Sequence, residues 1–93
     1  MSEPTVRLGS LPEPVVALLR AVHDALDLPL PGLTGADERA YARLLDRRAM
    51  EARVALACVL QDDHELGGAA ATLRDMVQLG PVTYTPWHGG GAA

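Results

Sequence analysis

The longest helix-forming run of the chain occupies residues 33–63, LTGADERAYARLLDRRAMEARVALACVLQDD, which contain no proline and only one glycine. Thr34 precedes Asp37 by three residues, a spacing typical of a side-chain cap at a helix N-terminus. The acidic pair that begins at Asp62 opposes the helix dipole at a C-terminus, so the helix should end there. The run therefore predicts a helix over residues 35–61, roughly 40 Å long.

Shorter helices are predicted on either side of the long one. Residues 11–26 repeat apolar side chains with a period of 3.6, and Ser10 with Glu13 fits a capping box. Residues 69–79 should form the third helix, because the two adjacent glycines before them should interrupt the preceding helix. The helix should end at residue 79, since Gly80 and the proline after it prevent the helix from continuing. The apolar face of the first helix comprises Val15, Leu18, Leu19, Val22, Ala25 and Leu26.

Two proline-containing segments complete the chain. Residues 27–33, DLPLPGL, form a connection between the first two helices, and residues 81–87, PVTYTPW, follow the third. Proline bars both from a central strand, so they should be extended. The sequence predicts an all-α fold of three helices with one long central helix and extended N- and C-terminal segments. We expect one helical domain over residues 11–87, a flexible arm over residues 1–10 and a disordered tail over residues 88–93.

Composition narrows the class of protein. Cys58 is the only cysteine, so no internal disulfide can form, which suits a reducing cytoplasm. No run approaches the ~20 apolar residues of a membrane span, and the N-terminus lacks the regions of a signal peptide. The net charge of -4 disfavours general binding to polyanions. The absence of Lys, Ile, Asn and Phe indicates a high-GC genome, so we expect a cytoplasmic protein of a high-GC bacterium, with no membrane partner.

The C-terminal half of the long helix carries apolar side chains on all sides. A helix that is apolar all round is normally buried all round, and a compact domain of this length is only about 32 Å across. We therefore predict a homodimer in which a second copy packs against this helix across a two-fold axis. A bend near residues 47–50 that folds the run back on itself is the rival interpretation. The predicted interface residues are Met50, Val54, Ala57 and Leu60.

Arg48 interrupts the main apolar face of the long helix. A buried charge is costly unless it is paired. We therefore predict that Arg48 is buried and forms a structural ion pair with a carboxylate of another helix or of another copy. The apolar face around it comprises Tyr41, Leu44, Leu45, Ala52, Ala55 and Val59.

Arg39, Arg43 and Arg47 form a stripe at four-residue intervals on the opposite side of that helix. Such a stripe is able to bind phosphates or an acidic partner. However, the pairs Arg43–Asp46 and Arg47–Glu51 lie within helical pairing distance. The first interpretation is a solvated face that is paired internally, and the second is a partner-binding surface.

Tyr84 and Trp87 are two of the three aromatic residues and lie close together after the third helix. The first interpretation is that they cover the helices and supply bulk to a core without phenylalanine. The second is that they are exposed and bind a partner, because Trp and Tyr dominate interface energetics.

Residues with catalytic or metal-binding chemistry are few. His23 and Asp27 are four apart on one helix and need further ligands, such as His64 or Asp63, to hold a metal ion. The carboxylates around His64 are better interpreted as a solvated loop. Cys58 has apolar neighbours and no base nearby in sequence, so it is predicted to be a small buried residue. We predict no catalytic residue, no metal site and no cofactor, and a protein that is not an enzyme.

The last third of the chain is predicted to run in the order helix, short turn, alanine-rich helix and extended segment. This stretch is residues 57–87, ACVLQDDHELGGAAATLRDMVQLGPVTYTPW. That order resembles the helix-turn-helix of a winged DNA-binding domain, with residues 81–87 in the place of a wing. The resemblance implies DNA binding, yet the corresponding recognition helix has Arg74 as its only base, with Asp75 beside it. The first hypothesis is therefore a small helical interaction or regulatory adaptor that binds itself and another protein. A helix-turn-helix or winged-helix DNA-binding regulator is the second.

Overall fold

The computed structural model describes residues 8–88 and contains three α-helices. The predicted all-α fold with one long central helix is confirmed, and no strand occurs within the described range. Residues 8–10, at the end of the predicted arm, form a single 3-10 turn. The remainder of the predicted arm, and the predicted tail after residue 88, lie outside the described residues. The helices are α1 (Glu13–Leu26), α2 (Gly35–Asp62) and α3 (Leu66–Leu79).

Local signals explain where the first two helices begin. The Thr34 Oγ1 accepts a hydrogen bond from the backbone N–H of Asp37 at 3.0 Å, which confirms the predicted cap of α2. The predicted capping box of α1 is wrong, because Pro12 and not Ser10 occupies the cap position. The Pro12 carbonyl accepts from two backbone N–H groups of the first turn, and Pro14 fits there because that turn needs few N–H donors.

The turn between α2 and α3 is tighter than the sequence predicted. Only residues 63–65 separate the two helices. Gly67 and Gly68 therefore lie in the first turn of α3 and do not interrupt the helix. The reversal is made by Asp63, whose φ of 54° is left-handed. Aspartate tolerates this conformation better than most residues other than glycine.

The long helix α2 is continuous over 28 residues. The bend near residues 47–50 that would have folded it back is therefore absent. At 1.5 Å per residue α2 spans roughly 42 Å, and the principal extents of the molecule are 46 × 36 × 19 Å. The radius of gyration is 16.4 Å, compared with about 12 Å for a compact chain of this length. The body is flat, and its thickness is close to that of two helices.

The core consists mostly of small side chains. α1 packs chiefly on α3, α3 packs on α2, and the contact between α1 and α2 is smaller. Leu73 is the one large side chain within residues 8–88 that is completely enclosed. Alanines allow the helix axes to approach closely, but each of them buries little apolar area. The core cluster comprises Leu18, Ala21, Ala25, Ala52, Ala55, Ala69, Ala70 and Leu73.

Arg48 lies at the centre of the fold and is only 5% exposed, as predicted from its place on the apolar face of α2. Its Nη1 donates to the carbonyl of Ala25 and its Nη2 donates to the carbonyl of Gly80, each at 3.0 Å. Ala25 lies in the last turn of α1, and Gly80 caps the C-terminus of α3. Carbonyls at helix C-termini lack intrahelical partners and carry partial negative charge, which suits a cation.

These carbonyls take the place of the carboxylate that the sequence led us to expect for Arg48. No carboxylate within residues 8–88 forms a salt bridge with it. The guanidinium is compensated instead by the negative ends of two helix dipoles. Arg48 therefore joins all three helices with one side chain.

We expect Arg48→Met to lower the free energy of unfolding by about 2–3 kcal/mol, because it leaves two buried carbonyl oxygens without donors while keeping most of the side-chain volume. The matched control is Arg20→Met, which replaces an exposed arginine of α1 and should change stability by less than about 0.5 kcal/mol. Urea denaturation of the three proteins measures the difference. Equal unfolding midpoints for the two variants would contradict the role assigned to Arg48.

Candidate interaction surface

The four residues predicted to form a dimer interface lie on the outer side of α2, opposite the side that carries Arg48. Met50 is 66% exposed, Val54 is 46% exposed and Leu60 is 79% exposed, whereas Ala57 is half-buried. We call these four residues the apolar stripe. Large side chains in the stripe face solvent while alanines fill the core, which reverses the usual distribution of apolar bulk.

A groove between α1 and α2 extends the apolar stripe. It has a volume of about 400 Å³, and Leu19 and Leu26 on α1 are also exposed. The sequence assigned both leucines to the core face of α1, and that assignment is wrong. The signal that was missed is the width of the apolar arc. Leu18 and Ala25 face the core, so the leucine that follows each of them is turned about 100° further round the helix and faces away from it. The lining includes Val22, Leu26, Ala49, Leu56 and Leu60.

A second groove, between α2 and α3, lies on the other side of the apolar stripe. It has a volume of about 390 Å³ and is lined mostly by small and apolar groups, with His64 and Glu65 at its rim. Cys58 lines this groove and is half-buried, so it is less enclosed than the sequence predicted. α2 is thus a ridge with an apolar groove on each flank.

The predicted arginine stripe is exposed along the N-terminal half of α2. The Arg47 Nε donates to the Glu51 Oε2 at 3.1 Å, as predicted. The predicted pair between Arg43 and Asp46 does not form within the described structure, and neither Arg39 nor Arg43 makes a salt bridge there. Two of the three arginines therefore keep their charge available to a partner.

Arg47 also has a structural contact that the sequence did not reveal. Its guanidinium lies over Gly80, where a Cβ would come within 2.8 Å of the arginine Cζ. The absence of a side chain at position 80 allows the C-terminus of α3 to pass directly beneath Arg47. Arg43 and Arg47 together line a shallow groove beside residues 79–83.

Residues 81–87, here called the strap, lie across the connection formed by residues 27–33. Pro31 and Pro86 form an isolated antiparallel bridge. The backbone N–H of Gly32 donates to Thr85 and that of Trp87 donates to Leu30, each at 2.8 Å. The strap therefore pairs with the segment between α1 and α2 and does not form the separate wing that the resemblance to winged domains implied.

The two aromatic residues of the strap have different environments. Tyr84 is buried, its hydroxyl donates to the Pro29 carbonyl at 2.6 Å, and its ring meets Tyr41 edge-on at 5.8 Å. Trp87 is 50% exposed. Tyr84 therefore packs within the fold and has almost no surface for contact with a partner. Binding to a partner stays a prediction for Trp87 alone.

Arg74, the only base of the helix compared with a recognition helix, contacts α1. Its Nη1 donates to the Asp24 Oδ2 at 3.2 Å, and the Asp24 Oδ1 lies 3.1 Å from the His23 Nδ1. Hydrogen bonds from His23 and Arg74 hold the pKa of the Asp24 carboxyl below its usual range. Arg74 therefore connects α3 to α1 and already has an acidic partner.

Other chemistry can be assessed only for the described part of the chain. No group of three or more His, Cys, Asp or Glu side chains between residues 8 and 88 is arranged to hold a metal ion. His64 is exposed, and Asp63 makes the turn between α2 and α3. None of the three helices is both long enough and apolar enough to cross a lipid bilayer.

Comparisons with protein-family models, with curated proteins and with solved structures find no match to this chain.

The buried hydroxyl of Tyr84 leads to a prediction about alkaline pH. Burial raises the pKa of Tyr84 above the ordinary value of 10.0, and nearby Tyr41 adds to the shift. The stabilisation that requires the neutral phenol is fully present below the pKa that Tyr84 has in the unfolded chain. It is lost as the pH rises through the higher pKa that Tyr84 has in the folded protein. Tyr84→Phe should cost about 1 kcal/mol at neutral pH through the lost hydrogen bond, and this deficit should shrink at about pH 11.

Urea denaturation of the wild-type protein and the variant at both pH values measures this effect. Tyr41→Phe is the matched control, because it keeps the edge-on ring pair and leaves the hydrogen bond to Pro29 intact. A deficit for Tyr84→Phe that is the same at both pH values would contradict the prediction.

Proposed function

We propose that this protein is a small helical interaction adaptor of the cytoplasm that forms a homodimer through the apolar stripe of α2 and binds another protein with the surface left free. The observation that carries the proposal is the exposure of Met50, Val54 and Leu60 in a molecule whose core is built from alanines. The single cysteine is consistent with a reducing compartment.

The exposed apolar area of the stripe favours self-association. Exposed leucine, valine and methionine side chains each gain roughly 1.5–3 kcal/mol when they are fully removed from water. Scattered apolar side chains are common on protein surfaces, but a contiguous patch is typical of an interaction site. Here the stripe is continuous with the groove between α1 and α2, and Leu26 of α1 lines that groove. A second copy offers a surface of the same kind and covers the patch symmetrically.

A different surface is assigned to the other protein. Trp87 lies at the end of the strap, half exposed and held in place by its own backbone hydrogen bond to Leu30. A large aromatic side chain on a fixed backbone loses little conformational entropy on binding. The unpaired charges of Arg39 and Arg43 add attraction for an acidic surface.

Sedimentation equilibrium at micromolar concentration tests the proposal. We expect twice the chain mass of 9.8 kDa. Met50→Glu should shift the mass to that of the monomer, because it places a charge within the apolar stripe. The variant should stay folded, since Met50 is exposed and a glutamate three residues from Arg47 and Arg53 suits the helix.

The matched control is Leu33→Glu, which charges an exposed apolar residue of the connection, away from the stripe. It should leave the dimer intact, and circular dichroism should show equal helix content for both variants. A mass near 9.8 kDa for the wild-type protein would overturn the proposal.

A further inference from the structure

The outer side of α2 carries residues at the spacing of a coiled-coil seam. Successive members are separated by four, three, four, three and four positions, which places them along one line of the helix. All are exposed except Ala57, which is half-buried. The members of this seam are Arg43, Arg47, Met50, Val54, Ala57 and Gln61.

Charge is distributed unequally along the seam. Its N-terminal part is basic, with Arg43 and Arg47 in the seam and Arg39 one turn earlier. Its apolar part follows, and the helix then ends in an exposed acidic cluster made of Asp62, Asp63 and Glu65. None of these three carboxylates forms a salt bridge within residues 8–88. The basic end and the acidic end of α2 are therefore complementary, and they are too far apart to meet within one chain.

We propose that two copies pair antiparallel along this seam, centred near residue 52, so that Arg39 and Arg43 of each copy bind the acidic cluster of the other. The inference rests on the proposed self-association and adds its orientation and register. It assigns Arg39 and Arg43 to the second copy, which leaves Trp87 as the surface for the other protein. Residues whose numbers add up to 104 then face each other, so Met50 lies opposite Val54 of the second copy.

The register matches the central apolar side chains and the outer charges, while Arg47 keeps Glu51 as its partner and lies opposite the small Ala57. The apolar side chains of both copies meet at the centre. Residues 42–62 of each helix overlap, a length of roughly 30 Å. Arg43 lies opposite position 61, beside Asp62. Arg39 lies one turn further, past the end of the partner helix, on the side where the chain turns at Asp63. The two helix dipoles also run in opposite directions, which favours the pair.

The parallel alternative has the opposite electrostatics. It would place Arg43 against Arg43 and the acidic cluster against its own copy, and like charges in contact are destabilising. It would match the apolar residues equally well, so charge decides the orientation.

Charge reversal tests the orientation. The double variants Arg39→Glu/Arg43→Glu and Gln61→Arg/Asp62→Arg should each weaken the dimer on the order of tenfold or more, because each places like charges at both ends of the antiparallel pair. A 1:1 mixture of the two should restore the wild-type affinity, since both ends of the mixed dimer are then complementary. The chain carrying all four substitutions should dimerise by itself for the same reason. Arginine at positions 61 and 62 suits the C-terminal end of the helix dipole. All four side chains are exposed in the wild-type protein, so the monomer should remain folded.

Disulfide trapping tests the register in a Cys58→Ser background. A chain with Arg43→Cys should form a mixed disulfide with a chain that carries Gln61→Cys. The two copies of position 43 lie about 27 Å apart in the antiparallel pair and should not bond to each other.

The outcomes separate this inference from the proposed self-association. A wild-type monomer would overturn both. A wild-type dimer in which each double variant keeps full affinity, or in which position 43 bonds to its own copy, would overturn the antiparallel pairing and leave the self-association standing.

Discussion

The structure depends on one buried cation that is held by backbone carbonyls. The guanidinium of Arg48 joins the C-terminus of α1 to the C-terminus of α3 and is itself carried by α2. Because a buried charge without compensation is expensive, both helices must end where they do for Arg48 to be tolerated. The Arg48 Nε and the Glu51 Oε1 are buried without a hydrogen-bond partner among the described residues. Each costs free energy that the packing around it must offset.

The small size of the core side chains has a consequence for the surface. Helices that meet through Ala21, Ala25, Ala52 and Ala55 approach closely and leave little room for larger groups between them. Leucine and methionine side chains are therefore directed to the outer sides of α1 and α2. The flat body, only 19 Å thick, has too little interior to enclose both sides of a 28-residue helix. Exposure of the apolar stripe follows from the way the core is packed.

The sequence predicted those features of the fold that are encoded locally. Helix ends follow from Thr34 and Gly80, and burial of Arg48 follows from its position in the period of α2. The acceptors of Arg48 were not predictable, since they are backbone atoms 23 and 32 residues away. Pairing of the strap with the connection was missed for the same reason, because main-chain hydrogen bonds carry no side-chain signature. Periodicity marked Leu19 as apolar but did not decide which of two apolar arcs faces the core.

The two sides of α2 are coupled through neighbouring residues. Arg48 faces inward and holds the carbonyl of Gly80, while Arg47 faces outward, covers the same glycine and pairs with Glu51. One helix terminus is therefore held from within by the core arginine and from outside by an arginine of the seam. Such an arrangement fixes α2 relative to α3. A continuous helix with a fixed outer face presents its charges and its apolar side chains at a regular spacing, which is the condition for pairing with a second copy in a single register.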